Sequence, residues 1–266
     1  MVELEHSRQL LCEMGLNTAG DLLEAYLEKA VHEEMTYIRF LNELLSSEQM
    51  ERRRKSSEMR LKLSKLPHRK TLEDFDFSFQ PSIDKRQVDE LATLAFAQRA
   101  ENVILLGPPG VGKTHLAVGL ALKAVDAGMV AYYTTLSKLI EDLKKAQVQG
   151  RLERRWRVYL RPAVLIIDEI GYSQPSRSET ELFFRLISQR YEHGSVIMTS
   201  NKYFSNWGEL FSDNVLATAL LDRLLHHAHV INICGQTYRL KDRLKTGVVT
   251  VPAAVNAKLK VSQKGL

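Results

Sequence analysis

The stretch GPPGVGKT, which runs Gly107, Pro108, Pro109, Gly110, Val111, Gly112, Lys113, Thr114, fits the pattern G-x-x-x-x-G-K-[ST]. Backbone N–H groups of such a glycine-rich loop wrap nucleotide phosphates, the lysine reaches the outer phosphates, and the hydroxyl residue holds Mg2+. The flanks agree with that reading. Asn102-Val-Ile-Leu-Leu106 reads as a short buried strand, and His115 to Val125 reads as a helix whose positive N-terminal end faces the phosphates. The loop, with His115 behind it, is the expected binding segment for ATP and Mg2+ in an α/β protein.

Downstream, Met129 to Thr135 reads as the next strand, with Gly128 placed to close the preceding helix. Leu136 to Gln149 and Arg151 to Leu160 read as two helices, the second stopped by Pro162. Val164-Leu-Ile-Ile-Asp-Glu169 is a buried-strand run ending in two acids. Asp168 is read as the carboxylate that holds Mg2+, and Glu169 as the group that polarises a water for in-line attack on the γ-phosphate. A helix is expected from Ser178 to His193, with Ser178 and Glu181 at capping-box spacing. Ser195 to Asn201 is a further buried strand, and Asn201 orients the attacking water provided this strand lies between the other two motif strands. Leu216 to His226 reads as a helix and His229 to Cys234 as the final strand. His226, His227, His229 and Cys234 belong to different elements and are not read as a metal site.

The chain has 266 residues and a net charge of +5, enough for one sizeable α/β domain with a smaller appendage and compatible with a polyanionic partner. The sequence shows neither a membrane-length apolar run nor a basic-then-apolar leader, so a cytoplasmic protein is expected. Cys12 and Cys234 match no redox or zinc spacing and are expected as buried or half-buried thiols. Residues 1–66 show helical periodicity, with a break expected at Asn17-Thr18-Ala19-Gly20 and a strongly basic end that includes Arg52, Arg53 and Arg54. Residues 67–81 read as a linker whose Phe75, Phe77 and Phe79 pack on the following domain, and Asp84 to Ala100 as one amphipathic helix. Residues 82–246 form the nucleotide-binding core, and 247–266 a basic tail. A second basic cluster, Lys138, Lys144, Lys145, Arg151 and Arg154, falls on the paired helices before Pro162, interleaved with Trp156 and Tyr159. Such clusters read either as solvated helix faces or as contacts to DNA phosphates.

The element order, together with DEIGYSQ at Asp168, TELFFRLISQRYEHGSVIMTSN ending at Asn201, FSNWGELF at Phe204 and LLDRLLHHAHVINICGQTYRLK ending at Lys241, resembles the IstB family. These are helper ATPases of bacterial insertion-sequence transposons, related to DnaC helicase loaders, and the likeness covers essentially the whole chain. The resemblance implies an AAA+ P-loop core with a parallel five-stranded sheet flanked by helices, no full lid domain, and a small all-helical N-terminal domain. It implies Lys113 and Thr114 on ATP and Mg2+, Asp168 and Glu169 as the Walker B pair, and Asn201 as sensor 1. Arg223 of the LLDRL helix then corresponds to a finger completing a neighbouring subunit's site; the alternative is a surface pair with Asp222. Arg239 stands where a second sensor arginine is sought. The implied partners are double-stranded DNA gripped largely without regard to sequence, a cognate transposase, and further copies of the chain. A replicative helicase loader, a small-molecule kinase and a nucleotide-gated scaffold are the competing readings.

Overall fold

The computed structural model describes residues 2–211, 213–235 and 237–238. The tail 247–266 and Arg239 therefore lie outside the described residues. The chain divides into two compact units, Met1–Leu63 and Ser64–Leu266.

The first unit contains helices α1 (Val2–Glu13), α2 (Asn17–His32) and α3 (Tyr37–Leu63). The break expected at Asn17–Gly20 falls earlier, because Gly15 takes a left-handed φ of 76° that ends α1 and leaves Asn17 free to open α2. The apolar centre is small: Ala19, Leu23 and Leu44 are buried, with Leu4, Leu11, Leu16, Tyr26 and Phe40 packed around them. Leu16 at the start of α2 offers no side-chain cap. The carboxylate of Glu48, reaching over from α3, accepts the Ala19 N–H at 3.0 Å instead and is 5% exposed. Arg52 holds that carboxylate at 2.6 Å and donates to the Gly15 carbonyl at 2.7 Å.

In the second unit, Asp84 caps α4 (Lys85–Ala92) by accepting the Arg86 N–H. The single helix expected to Ala100 breaks at Leu94, whose φ is 66°, before α5 (Ala95–Gln98). Leu94 is 5% exposed, so burial of its side chain holds a backbone conformation that helical periodicity does not register. Next come β1 (Asn102–Leu106), α6 (Lys113–Asp126), β2 (Ala131–Thr135), α7 (Leu136–Val148), α8 (Leu152–Leu160), β3 (Val164–Ile170), α9 (Arg177–Arg190), β4 (Ser195–Ser200), α10 (Trp207–Leu210), α11 (Asn214–Leu225) and β5 (Ala228–Asn232). The capping box of α9 is Ser176 with Glu179, two residues before the expected pair.

All five strands are parallel, in the order β2-β3-β4-β1-β5. Helices cover both faces of such a sheet, which is why its central strands are nearly continuous Val, Ile and Leu. Trp156, Tyr159, Phe183, Trp207 and Phe211 fill the core on one side, so the aromatics of α8 face inward. Arg190, 2% exposed, donates to the carbonyls of Tyr159, Leu160, Pro162, Ala163 and Ser195, tying the end of α8 to the starts of β3 and β4. Burial alone pulls its pKa down to about 10. Both cysteines are exposed, contrary to expectation; the Cys12 sulfur lies against Gly20 of α2, and Cys234 follows β5. Among the described residues no helix is long and apolar enough to cross a membrane.

Candidate active site

Strand β4 lies between β1 and β3. Their carboxyl ends therefore place the glycine loop, the two acids and Asn201 side by side, in the position where open parallel sheets bind ligands. Gly112, with a φ of 101°, is the N-cap of α6 and supplies no side-chain acceptor. The first-turn N–H groups of α6 thus face the loop, as an anionic ligand requires. Lys113 is 7% exposed and donates from Nζ to the carbonyls of Gly107 (2.7 Å) and Pro108 (2.8 Å). Val111 is buried beneath the loop, and Pro108 and Pro109 are on its outer side. The Gly110 carbonyl accepts the Tyr238 N–H at 2.8 Å.

The two acids are separated by a bulge. Pairing of β3 with β4 moves from Ile167 opposite Met198 to Ile170 opposite Ser200, so β3 carries one extra residue at Asp168–Glu169. Glu169 has a φ of 65°. A bulge re-aims side chains that strict alternation would set on opposite faces. Here it leaves Asp168 3% exposed and Glu169 exposed at the strand's end. Three hydroxyls from three elements converge on the Asp168 carboxylate. Thr114 Oγ1 lies 3.1 and 3.0 Å from its two oxygens, Tyr133 Oη donates at 2.7 Å, and Thr199 Oγ1 donates to Oδ1. Thr199 Oγ1 also accepts the Glu169 N–H at 3.1 Å. Burial, reinforced by the bond to Asp168, raises the Tyr133 pKa, so its hydroxyl stays protonated as a donor. Asn201 packs against Gly171, and its buried Oδ1 has no hydrogen-bond partner among the described residues.

An uncapped helix start, a buried ammonium, a hydroxyl–carboxylate pair and an orphaned amide oxygen meet at one place. This donor set fits a nucleotide triphosphate, and Thr114 with Asp168 supplies the oxygen ligands that Mg2+ takes. His115 turns away from the loop: its Nε2 bonds the Thr71 carbonyl at 2.7 Å, and burial lowers its pKa. Phe75, 8% exposed, packs under Gly112 and edge-on to the His115 ring, so the segment expected as a linker underpins the loop.

Arg223 makes no pair with Asp222. Its guanidinium lies over the rings of Phe184 (5.3 Å) and Tyr191 (5.9 Å). The basic residues divide into two groups. Arg52 is committed to Glu48, Arg54 to Glu51 and Glu58, Lys144 to Glu179 and Lys145 to Glu141. Arg53, Lys138, Arg151 and Arg154 are exposed. His229 bonds Glu101, while His226 and His227 form an exposed group with Glu192. Reading by motif does not find Tyr133 or Thr199. Their one signal is a hydroxyl in a strand that carries several others, AYYTT in β2 and SVIMTS in β4, which does not say whom it meets.

The strand order, the loop and the acid-tipped β3 define an AAA+ P-loop protein. AMPPCP-bound DnaA from Aquifex aeolicus shares this fold at a TM-score of 0.52 and 19% identity, over 73% of this chain and 61% of that one. A family model described as IstB-like ATP binding protein matches residues 9–246, and the chain belongs to that family. It is 54% identical over 241 residues to a protein of Pseudomonas aeruginosa described as a putative ATP-binding protein of insertion sequence IS21, across 91% of each chain. A counterpart of insertion sequence IS5376 from Geobacillus stearothermophilus is 46% identical, over 86% of this chain and 92% of that one.

Proposed function

We propose that this protein hydrolyses ATP with Mg2+, self-associates on double-stranded DNA in its ATP state, and assists the transposase of an insertion sequence. The observation that carries the reading is the meeting of Thr114 and Asp168 beside the Lys113 loop. The insertion-sequence context of its relatives supports the transposition role.

In this reading the loop amides and Lys113 hold the outer phosphates, and Thr114 and Asp168 hold the metal. Mg2+, when bound, offsets the negative charge that collects on the phosphates as the bond breaks. Glu169 is exposed where the strand ends and takes the proton of the attacking water. The water oxygen bonds the γ-phosphorus, the bond to the β,γ-bridging oxygen breaks, and ADP and phosphate leave. Asn201 Oδ1, without a partner of its own, orients that water. Arg223, stacked on two rings and paired with no carboxylate among the described residues, reaches a neighbouring copy's site, where a guanidinium stabilises developing charge. Arg53, Lys138, Arg151 and Arg154 contact DNA phosphates, which position a protein without reading bases.

Phosphate release by wild type and Glu169→Gln, with and without Mg2+ and a duplex of roughly 30 base pairs, tests the scheme. Wild type should need Mg2+ and turn over faster on the duplex. Glu169→Gln should bind ATP within about threefold of wild type and lose about 100-fold or more of turnover. A variant that hydrolyses at the wild-type rate removes Glu169 from the chemistry, and a wild type with no Mg2+-dependent turnover removes the ATPase.

A further inference from the structure

Strand β2 is an edge of the sheet, and edges expose backbone groups that must be covered. The Ser64 carbonyl accepts the Tyr133 N–H at 2.8 Å and so meets this edge at its middle residue. Beside it lies a cavity of about 420 Å3, within the size range of ligand sites, walled by β2, α7, α8 and the chain at Lys65 and Pro67. Lys138, Glu141, Asp142 and Lys145 line it from α7, on the face opposite the buried Leu139, Ile140 and Leu143.

The charges in the cavity do not balance. Glu141 is taken by Lys145, and Asp142 by Arg155 with Tyr159. Lys65 and Lys138 have no carboxylate partner among the described ion pairs, and the Lys65 ammonium sits 5.3 Å above the Tyr132 ring. Two ammonium groups with no carboxylate among the described ion pairs, one of them over the Tyr132 ring, suit a phosphodiester anion. Lysine meets it as a mobile point charge, without the fixed geometry of a small-molecule site. Tyr133 lines the same cavity, and its hydroxyl ends on Asp168.

We propose that the β2-edge cavity receives a backbone phosphate of bound DNA through Lys65 and Lys138, and that Tyr133 is a positioning residue linking this occupancy to the Asp168 carboxylate. The inference rests on the ATPase reading and adds how DNA reaches it. A phosphate held between the two lysines enters the cavity that Tyr133 also lines. The hydroxyl of that tyrosine is one of the three that fix the carboxylate, so DNA resets its orientation and changes turnover without touching the nucleotide.

Three proteins are compared: wild type, Lys65→Ala/Lys138→Ala and Tyr133→Phe, each checked for unchanged thermal melting. ATP turnover is titrated with the same duplex and separately with inorganic phosphate, and duplex affinity is measured against salt. The double variant should raise the duplex concentration for half-maximal stimulation about tenfold or more. Its slope of log affinity on log salt should become shallower by roughly one, at about 0.9 for the one DNA phosphate that is no longer neutralised. Tyr133→Phe keeps the ring, so it should bind duplex within about twofold of wild type yet lose most of the duplex-driven rise in kcat, read as the ratio of its own turnover with and without duplex. Stimulation of the double variant at wild-type duplex concentrations overturns the cavity. A Tyr133→Phe protein stimulated as wild type overturns the link, and stimulation by inorganic phosphate as strong as by duplex overturns DNA as the occupant. In each case a wild type that still responds to duplex leaves the proposed function standing. A wild type that hydrolyses ATP with no duplex response sinks this inference together with the DNA part of that function.

Discussion

The α/β unit buries an aromatic and branched core against five parallel strands, whereas the helical unit closes on buried Ala19, Leu23 and Leu44 with five half-buried apolar residues around them. Val31, Tyr37 and Ile38 of the helical unit stay 69% exposed or more. A unit of that size buries too small a share of its surface for apolar burial to hold it comfortably. Polar ties replace the missing packing. Glu48 caps α2 and is gripped by Arg52, and Lys29 and Arg39 share Glu43. The consequence is a difference in kind. Apolar packing carries most of the stability of the α/β unit, while the helical unit leans more heavily on charges that salt and pH reach.

The largest effect should come where a polar group is sunk into the apolar unit. Arg190 satisfies carbonyls of Tyr159, Leu160, Pro162, Ala163 and Ser195 at once. Arg190→Ala leaves those acceptors buried and opens a cavity, a combination that costs about 3–5 kcal/mol. Urea denaturation followed by tryptophan fluorescence reads it, since Trp156 and Trp207 are both in that core. A loss below about 1 kcal/mol would mean that water replaces the guanidinium easily and that this core is less sealed than its burial implies.

Glu48→Ala should cost the helical unit about 1–3 kcal/mol, because the Ala19 N–H and Arg52 both lose their acceptor. Hydrogen exchange of the α2 amides should accelerate while amides of β1 and β4 keep their protection. Acid should imitate the mutation. Burial pushes the Glu48 pKa up, but bonds from Ala19, Arg52 and Thr18 outweigh it and the folded value is lowered. The stabilisation is therefore complete above the unfolded carboxyl pKa of about 4.3 and disappears as pH falls through the lowered folded value. Loss of α2 protection should accordingly begin below about pH 4 in wild type and be absent as a separate step in Glu48→Ala.

The same contrast marks what was legible in the sequence. Contiguous features were: the loop at Gly107–Thr114, the acids after Val164–Ile167 and the polar tip at Asn201 each announce themselves within a few residues, and β4 does lie between β1 and β3. Convergence was not. Tyr133 and Thr199 reach Asp168 only because β2 and β4 flank β3 in one register, with a bulge at Glu169 that no local pattern encodes. The basic clusters were visible as charge, yet Arg52, Arg54, Lys144 and Lys145 are each held by an acid three or four residues away or on another helix. A charge count cannot distinguish those from Arg53 or Lys138.

The smallest effect concerns a polar tie of the helical unit's kind placed on the well-packed unit. The Ser176 side chain accepts from the N3 amide of α9, and Glu179 Oε2 accepts the Ser176 N–H at 2.7 Å. Ser176→Ala removes one half of that box and should cost about 1 kcal/mol. The alternative register, Ser178 with Glu181, predicts the opposite assignment, so Ser178→Ala serves as the control and should stay within about 0.5 kcal/mol of wild type. Because Phe183, Leu186 and Ile187 anchor the same helix in the core, the loss at Ser176 should appear as a shift of the whole denaturation midpoint with no separate opening of α9. Local fraying of α9 ahead of the main transition would show that packing does not override a missing cap even here, and the distinction between the two units would narrow to one of degree.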